Sequence, residues 1–112
     1  MIQAPFGKPD TQAIATATGT VAVTVVKNMT VIDMNTTIGT GNRTLNLTLD
    51  SQLQDGGAEI LVLFRTTGTE TLTFGTGMLA PVITGVAGKI FSQAFILNGG
   101  VYYPQGTKVQ CN

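Results

Sequence analysis

Arg43-Thr44-Leu45-Asn46-Leu47-Thr48-Leu49 alternates without a break: Leu45, Leu47 and Leu49 fall on one side of an extended chain, and Thr44, Asn46 and Thr48 on the other. A period of two marks a β-strand with one face in a core and the other toward water. Outward from this stretch the same signal recurs in shorter pieces. Val21-Ala22-Val23-Thr24-Val25-Val26 and Met29-Thr30-Val31-Ile32-Asp33-Met34, separated by Lys27-Asn28, read as two strands or one bent strand. Asn35-Thr36-Thr37-Ile38-Gly39-Thr40-Gly41-Asn42 reads as a loop, and residues 50–57 as a turn.

Ala58-Glu59-Ile60-Leu61-Val62-Leu63-Phe64 is nearly all apolar, which predicts a central strand covered on both faces. Residues 70–74 alternate again, with Leu72 and Phe74 on one face. A Gly-rich connection follows, containing the short apolar piece Val82-Ile83. Residues 89–97 and 101–103 then flank Asn98-Gly99-Gly100, a two-glycine hairpin signal. Thr occurs nineteen times, and β-branched side chains favour extended backbone. No window of ten or more residues shows helical spacing free of Gly and Thr runs. The pattern predicts an all-β domain, an antiparallel sandwich or jelly-roll-like fold of about seven or eight short strands.

The 112 residues fit one domain, large enough to bury roughly two-thirds of its unfolded surface. Residues 1–12, with Pro5, Gly7 and Pro9 around Phe6, read as an extended N-terminal arm, and 13–112 as the β-domain. Ile2 and Phe6 give the arm apolar side chains to dock with. Charged residues make up 11% of the chain, six basic against six acidic, where about a quarter is usual. So little charge protects a free monomer poorly from self-association, and points to a surface covered by other subunits. The six cations stand singly along the chain, unlike the clustered patch of a nucleic-acid binder. No stretch has the length of an apolar membrane helix, and no leader peptide is expected.

The chemistry-bearing inventory is thin. Without His, the commonest general base and metal ligand is missing. Cys111 is the single thiol, so neither an internal disulfide nor a thiolate metal cluster is expected. A glycosidase would need a pair among Asp10, Asp33, Asp50, Asp55, Glu59 and Glu70, and no spacing singles one out. Gly75-Thr76-Gly77 lacks the order of a phosphate loop. The expectation is a protein without enzymatic activity, cofactor or metal. Asn28, Asn35, Asn42 and Asn46 each begin an Asn-x-Thr triplet, read here as a by-product of Thr-rich strands. Tyr102 and Tyr103 beside the hairpin are the candidate exposed contacts. Adjacent strand residues face opposite ways, so one ring is expected in the core and the other outside.

From Arg43 onward the order of parts resembles a module of tailed-bacteriophage virion proteins, found among head-decoration, head-fibre and tail-fibre domains. The parts are the strand 44–49, the turn and apolar strand 55–64, the short strand 70–74 and the closing hairpin 89–103. The resemblance implies a structural virion subunit on the capsid surface: a head-decoration or auxiliary capsid protein binding the major capsid protein, and a homotrimer. In that setting the arm residues Ile2, Pro5, Phe6 and Lys8 would dock on the shell. The alternative it implies is a receptor- or glycan-binding module of a fibre. Two departures stand out: the hairpin ends in Tyr102-Tyr103 where such modules often carry Trp, and no shaft-like repeat precedes the domain.

Overall fold

The computed structural model describes residues 10–51, 53 and 57–112. Among them the chain forms ten strands and no helix: β1 (Asp10–Ala13), β2 (Gly19–Val25), β3 (Met29–Gly39), β4 (Arg43–Leu49), β5 (Glu59–Thr66), β6 (Thr71–Phe74), β7 (Ile83–Thr84), β8 (Ile90–Asn98), β9 (Val101–Pro104) and β10 (Val109–Gln110). The all-β expectation holds, and most predicted strands lie within a residue or two of their sequence positions.

The strands divide between two sheets, and the first six alternate between them. The first sheet runs β1-β3-β5-β8-β10, with β9 also on β8; the second runs β2-β4-β6-β7. β1, β3 and β5 are parallel neighbours, as are β2, β4 and β6. The path is a flattened coil in which each turn supplies one strand to each sheet. β8 then turns back antiparallel on β5, β9 and β10 add antiparallel to β8, and β7 adds antiparallel to β6. These reversals end the parallel ladder.

The expected wholly antiparallel pairing is thereby corrected: half of the pairings are parallel. Alternation reports which face a strand buries, and is silent on the direction of its neighbour. Connections that cross between sheets keep β1 to β6 from pairing with their neighbours in sequence. Only 98–101 carried a true hairpin signal, and there the prediction holds. Gly99 and Gly100, at φ +63° and +80°, form the two-residue turn between Asn98 and Val101.

Three further expectations change. Residues 10–12, assigned to the arm, belong to β1 beside Thr30, Val31 and Ile32. The predicted loop at 35–42 is strand as far as Gly39, with an irregularity after Met34: five steps along β3, from Met34 to Gly39, face two along β5, from Phe64 to Thr66. The Asp33 carboxylate holds this bulge, accepting from the backbone N–H of Asn35 at 2.9 Å and Thr36 at 3.2 Å. β5 is central in its sheet, yet only its inner face is buried; Glu59, Leu61, Leu63 and Arg65 are half-buried on the outside.

The inner faces share one core. Val21, Val23 and Val25 of β2 and Leu45 and Leu47 of β4 face Ile32, Ile60, Val62 and Phe64 of the first sheet. Phe74 meets Phe95 edge-on across the sheets at 5.0 Å, and within the first sheet Phe64 stacks on its cross-strand partner Phe91 at 5.5 Å while both rings face the core. Each such side chain contributes about 1.5–3 kcal/mol on burial, so these contacts are the main force holding the sheets together.

At the corner between the sheets lies the largest fully buried side chain, Arg43, only 1% exposed. Its guanidinium donates to the carbonyls of Thr16 (3.2 Å), Thr37 (3.4 Å), Met34 (3.5 Å) and Arg65 (3.1 Å). Burial pushes its pKa below the ordinary arginine value, while the carbonyl dipoles take the place of water around the charge. Gly39 is required here: a Cβ at that position would lie 2.7 Å from Nη2 of Arg43.

Candidate assembly surface

The outer face of the first sheet follows from the same alternation that builds the core. Along β5 and β8 every second residue is buried, and those between are half-buried. The outward residues align in rows: Met29, Glu59, Ile96 and Tyr103; Val31, Leu61 and Ala94; Asp33, Leu63, Ser92 and Val109; Arg65 and Ile90. The first two rows are mainly apolar, and Met29, Tyr103 and Val109 are 47%, 41% and 56% exposed. A solvated sheet face normally carries polar side chains, so an apolar one is the mark of a surface meant to be covered.

On β5 the charges sit at the two ends of the stripe, and on β3 Asp33 lies level with Leu63. Along β5 the order is Glu59, Leu61, Leu63, Arg65, an anion and a cation separated by an apolar centre. Neither side chain forms an ion pair among the described residues, and Arg65 Nε is buried without a hydrogen-bond partner. The sequence showed this stripe as an apolar run and suggested cover on both sides; among the described residues only its inner side is covered.

Tyr102 and Tyr103 are separated by strand alternation. Tyr102 is fully buried, which corrects its place among the exposed contacts, because β9 turns it inward. Burial raises its pKa to about 12, and its hydroxyl has no hydrogen-bond partner among the described residues. Tyr103 faces outward beside Ile96. The docking-arm residues Ile2, Pro5, Phe6 and Lys8 lie outside the described residues, as does Asp55.

The remaining carboxylates are occupied locally. Asp10 accepts from Gln12 Nε2 at 3.0 Å and Asp33 holds the bulge. Glu70 accepts from Gly68 N–H at 2.6 Å and from the Thr67 hydroxyl, and backbone hydrogen bonds hold its pKa below the usual carboxylate value. Asn42 and Asn46 serve as clamps between neighbouring segments, their Oδ1 atoms accepting from Thr71 N–H at 2.9 Å and Thr76 N–H at 2.8 Å. Cys111 is exposed.

A second feature lies at the C-terminal end of the coil. An apolar cavity of about 300 Å³ is lined by Pro81, Val82, Ile83, Gln93, Pro104 and Lys108 among others. The Gln93 amide on its wall donates to the carbonyls of Ala94 (3.0 Å) and Gly106 (3.1 Å), so that group is engaged within the fold. Compared with protein families, curated proteins and solved structures, the chain matches none.

Proposed function

We propose that this chain is a structural subunit that acts by covering and being covered, with no reaction of its own. The observation carrying the reading is the apolar outer face of the first sheet, on a chain whose charged residues make up only 11%. The specific setting rests on the resemblance: a head-decoration or auxiliary capsid subunit binding the major capsid protein of a tailed phage, anchored in part by the arm residues Ile2, Pro5, Phe6 and Lys8. The resemblance also implies a trimer. Burial of apolar rows against neighbouring subunits would supply the binding energy, and the charged ends of the β5 stripe would set the register.

The test is re-decoration. Purified chain is added to heads of the same phage that lack it, and the heads are pelleted. Saturable co-pelleting is expected, lost on removal of residues 1–9 or on Leu63→Lys, both with an unchanged circular dichroism spectrum. Heads that never retain the intact chain would overturn the reading. Tyr103, an exposed aromatic ring, favours one alternative, glycan binding at a fibre. Binding on a glycan array that disappears in Tyr103→Ala would establish that alternative instead.

A further inference from the structure

We infer that the outer face of the first sheet is covered by the same face of a second copy, related by a two-fold axis that lies in the interface and runs across the strands. The inference rests on that face being an interface, adds the partner and the register, and puts a dimer in place of the trimer that the resemblance implies. A two-fold interface must be self-complementary, because each residue meets its counterpart across the axis. The order along β5 has that property. Glu59 and Arg65 stand at opposite ends of the stripe, about 20 Å apart at the rise of a strand, with Leu61 and Leu63 between them.

With the axis over Val62, β5 lies antiparallel across β5 of the second copy. Glu59 then faces Arg65 of the second copy, and Leu61 faces Leu63 of the second copy. Of the two neighbouring strands β8 agrees, while β3 sets Val31 against Asp33 of the second copy, a carboxylate already engaged by the Asn35 and Thr36 N–H groups. On β8, Ile96 is level with Glu59 and Ile90 with Arg65, so isoleucine meets isoleucine; Ala94 likewise meets Ser92. An axis along the strands would instead set Glu59 against Glu59 and Arg65 against Arg65. A closed three-fold ring needs two different complementary patches, whereas here one patch carries both signs in mirrored order.

The size is adequate. A face five strands wide and the length of β5 has a footprint on the order of 600 Å². Two copies would therefore bury about 1,200 Å² in all, at the lower bound for a stable interface.

Native mass spectrometry and light scattering of the purified chain test this directly. A dimer is expected. Glu59→Arg and Arg65→Glu should each weaken it roughly tenfold, and the double reversal should restore it. Leu63→Lys should give a monomer with an unchanged urea midpoint per chain and an unchanged circular dichroism spectrum. A wild-type monomer or trimer overturns the inference, as does a dimer whose stability ignores the charge reversals. A monomer that still decorates heads would sink only the second copy; a charge-sensitive dimer that never binds heads would sink only the particle.

Discussion

Replacing Arg43 by Met keeps most of the side-chain volume and removes the charge and its donors. Four carbonyls, those of Thr16, Met34, Thr37 and Arg65, lose their guanidinium partner. Two of these contacts, at 3.1 and 3.2 Å, are short enough to count fully, while those at 3.4 and 3.5 Å are weak. A hydrogen bond to a charged group is worth about 1.5–3 kcal/mol. Against this stands the relief of desolvating a buried cation, which the lowered pKa also registers. The balance predicts a loss of about 3 kcal/mol in Arg43→Met, read as a fall in urea midpoint at constant m-value.

Gly39→Ala supplies the cross-check. The new methyl would collide with the guanidinium, so it should be costly in the wild type and mild once Arg43 is Met. The double-mutant cycle should show coupling above about 1 kcal/mol. If Arg43→Met changes stability by less than about 1 kcal/mol, or if the two substitutions simply add, the corner does not work as described.

Tyr102→Phe should leave stability unchanged or raise it at neutral pH, because the lost hydroxyl is buried with no partner among the described residues. The same residue predicts alkaline sensitivity. Its folded pKa of about 12 lies above the unfolded value near 10. The unfolded chain therefore loses its proton first, and stability present below pH 10 declines between about pH 10 and 12. Urea midpoints across that range should fall more steeply for the wild type than for Tyr102→Phe. Asp33→Ala, which removes the acceptor of two backbone N–H groups in the bulge, should cost about 1–2 kcal/mol. Asp33→Asn retains an acceptor and should cost less; equal losses would show that charge, and not the acceptor, holds the bulge.

The strands were legible because their alternation is strong: Leu45, Leu47 and Leu49, or Phe91, Phe95 and Leu97 among polar and smaller neighbours. The hairpin was legible because two glycines at positive φ leave few other readings. The coil was not, since crossing between sheets leaves no local mark, and β2 with β3 looks the same in sequence whether they pair or face each other. Arg43 opened the clearest strand without declaring itself buried, because its partners are main-chain carbonyls that carry no residue identity. The candidate surface was half visible. The apolar run at 58–64 predicted cover on both faces of β5, of which the structure shows the inner one, while the alignment of Ile90, Ala94 and Ile96 beside it required the register of β8.

The buried arginine also bears on which structure forms, apart from how stable it is. In a coil of parallel turns, sliding one strand by two residues past its neighbours preserves the inside-outside alternation, and stripes as alike as Val21-Val23-Val25 and Leu45-Leu47-Leu49 would tolerate the slip. Arg43 would not. Its carbonyls come from the β1–β2 connection, from two points on β3 and from β5. Moving β4 by two residues would put Leu45 or Gly41 against all four and take the guanidinium away from them. One side chain thus sets the phase between the two sheets and singles out one threading of the coil from several that its hydrophobic pattern would accept.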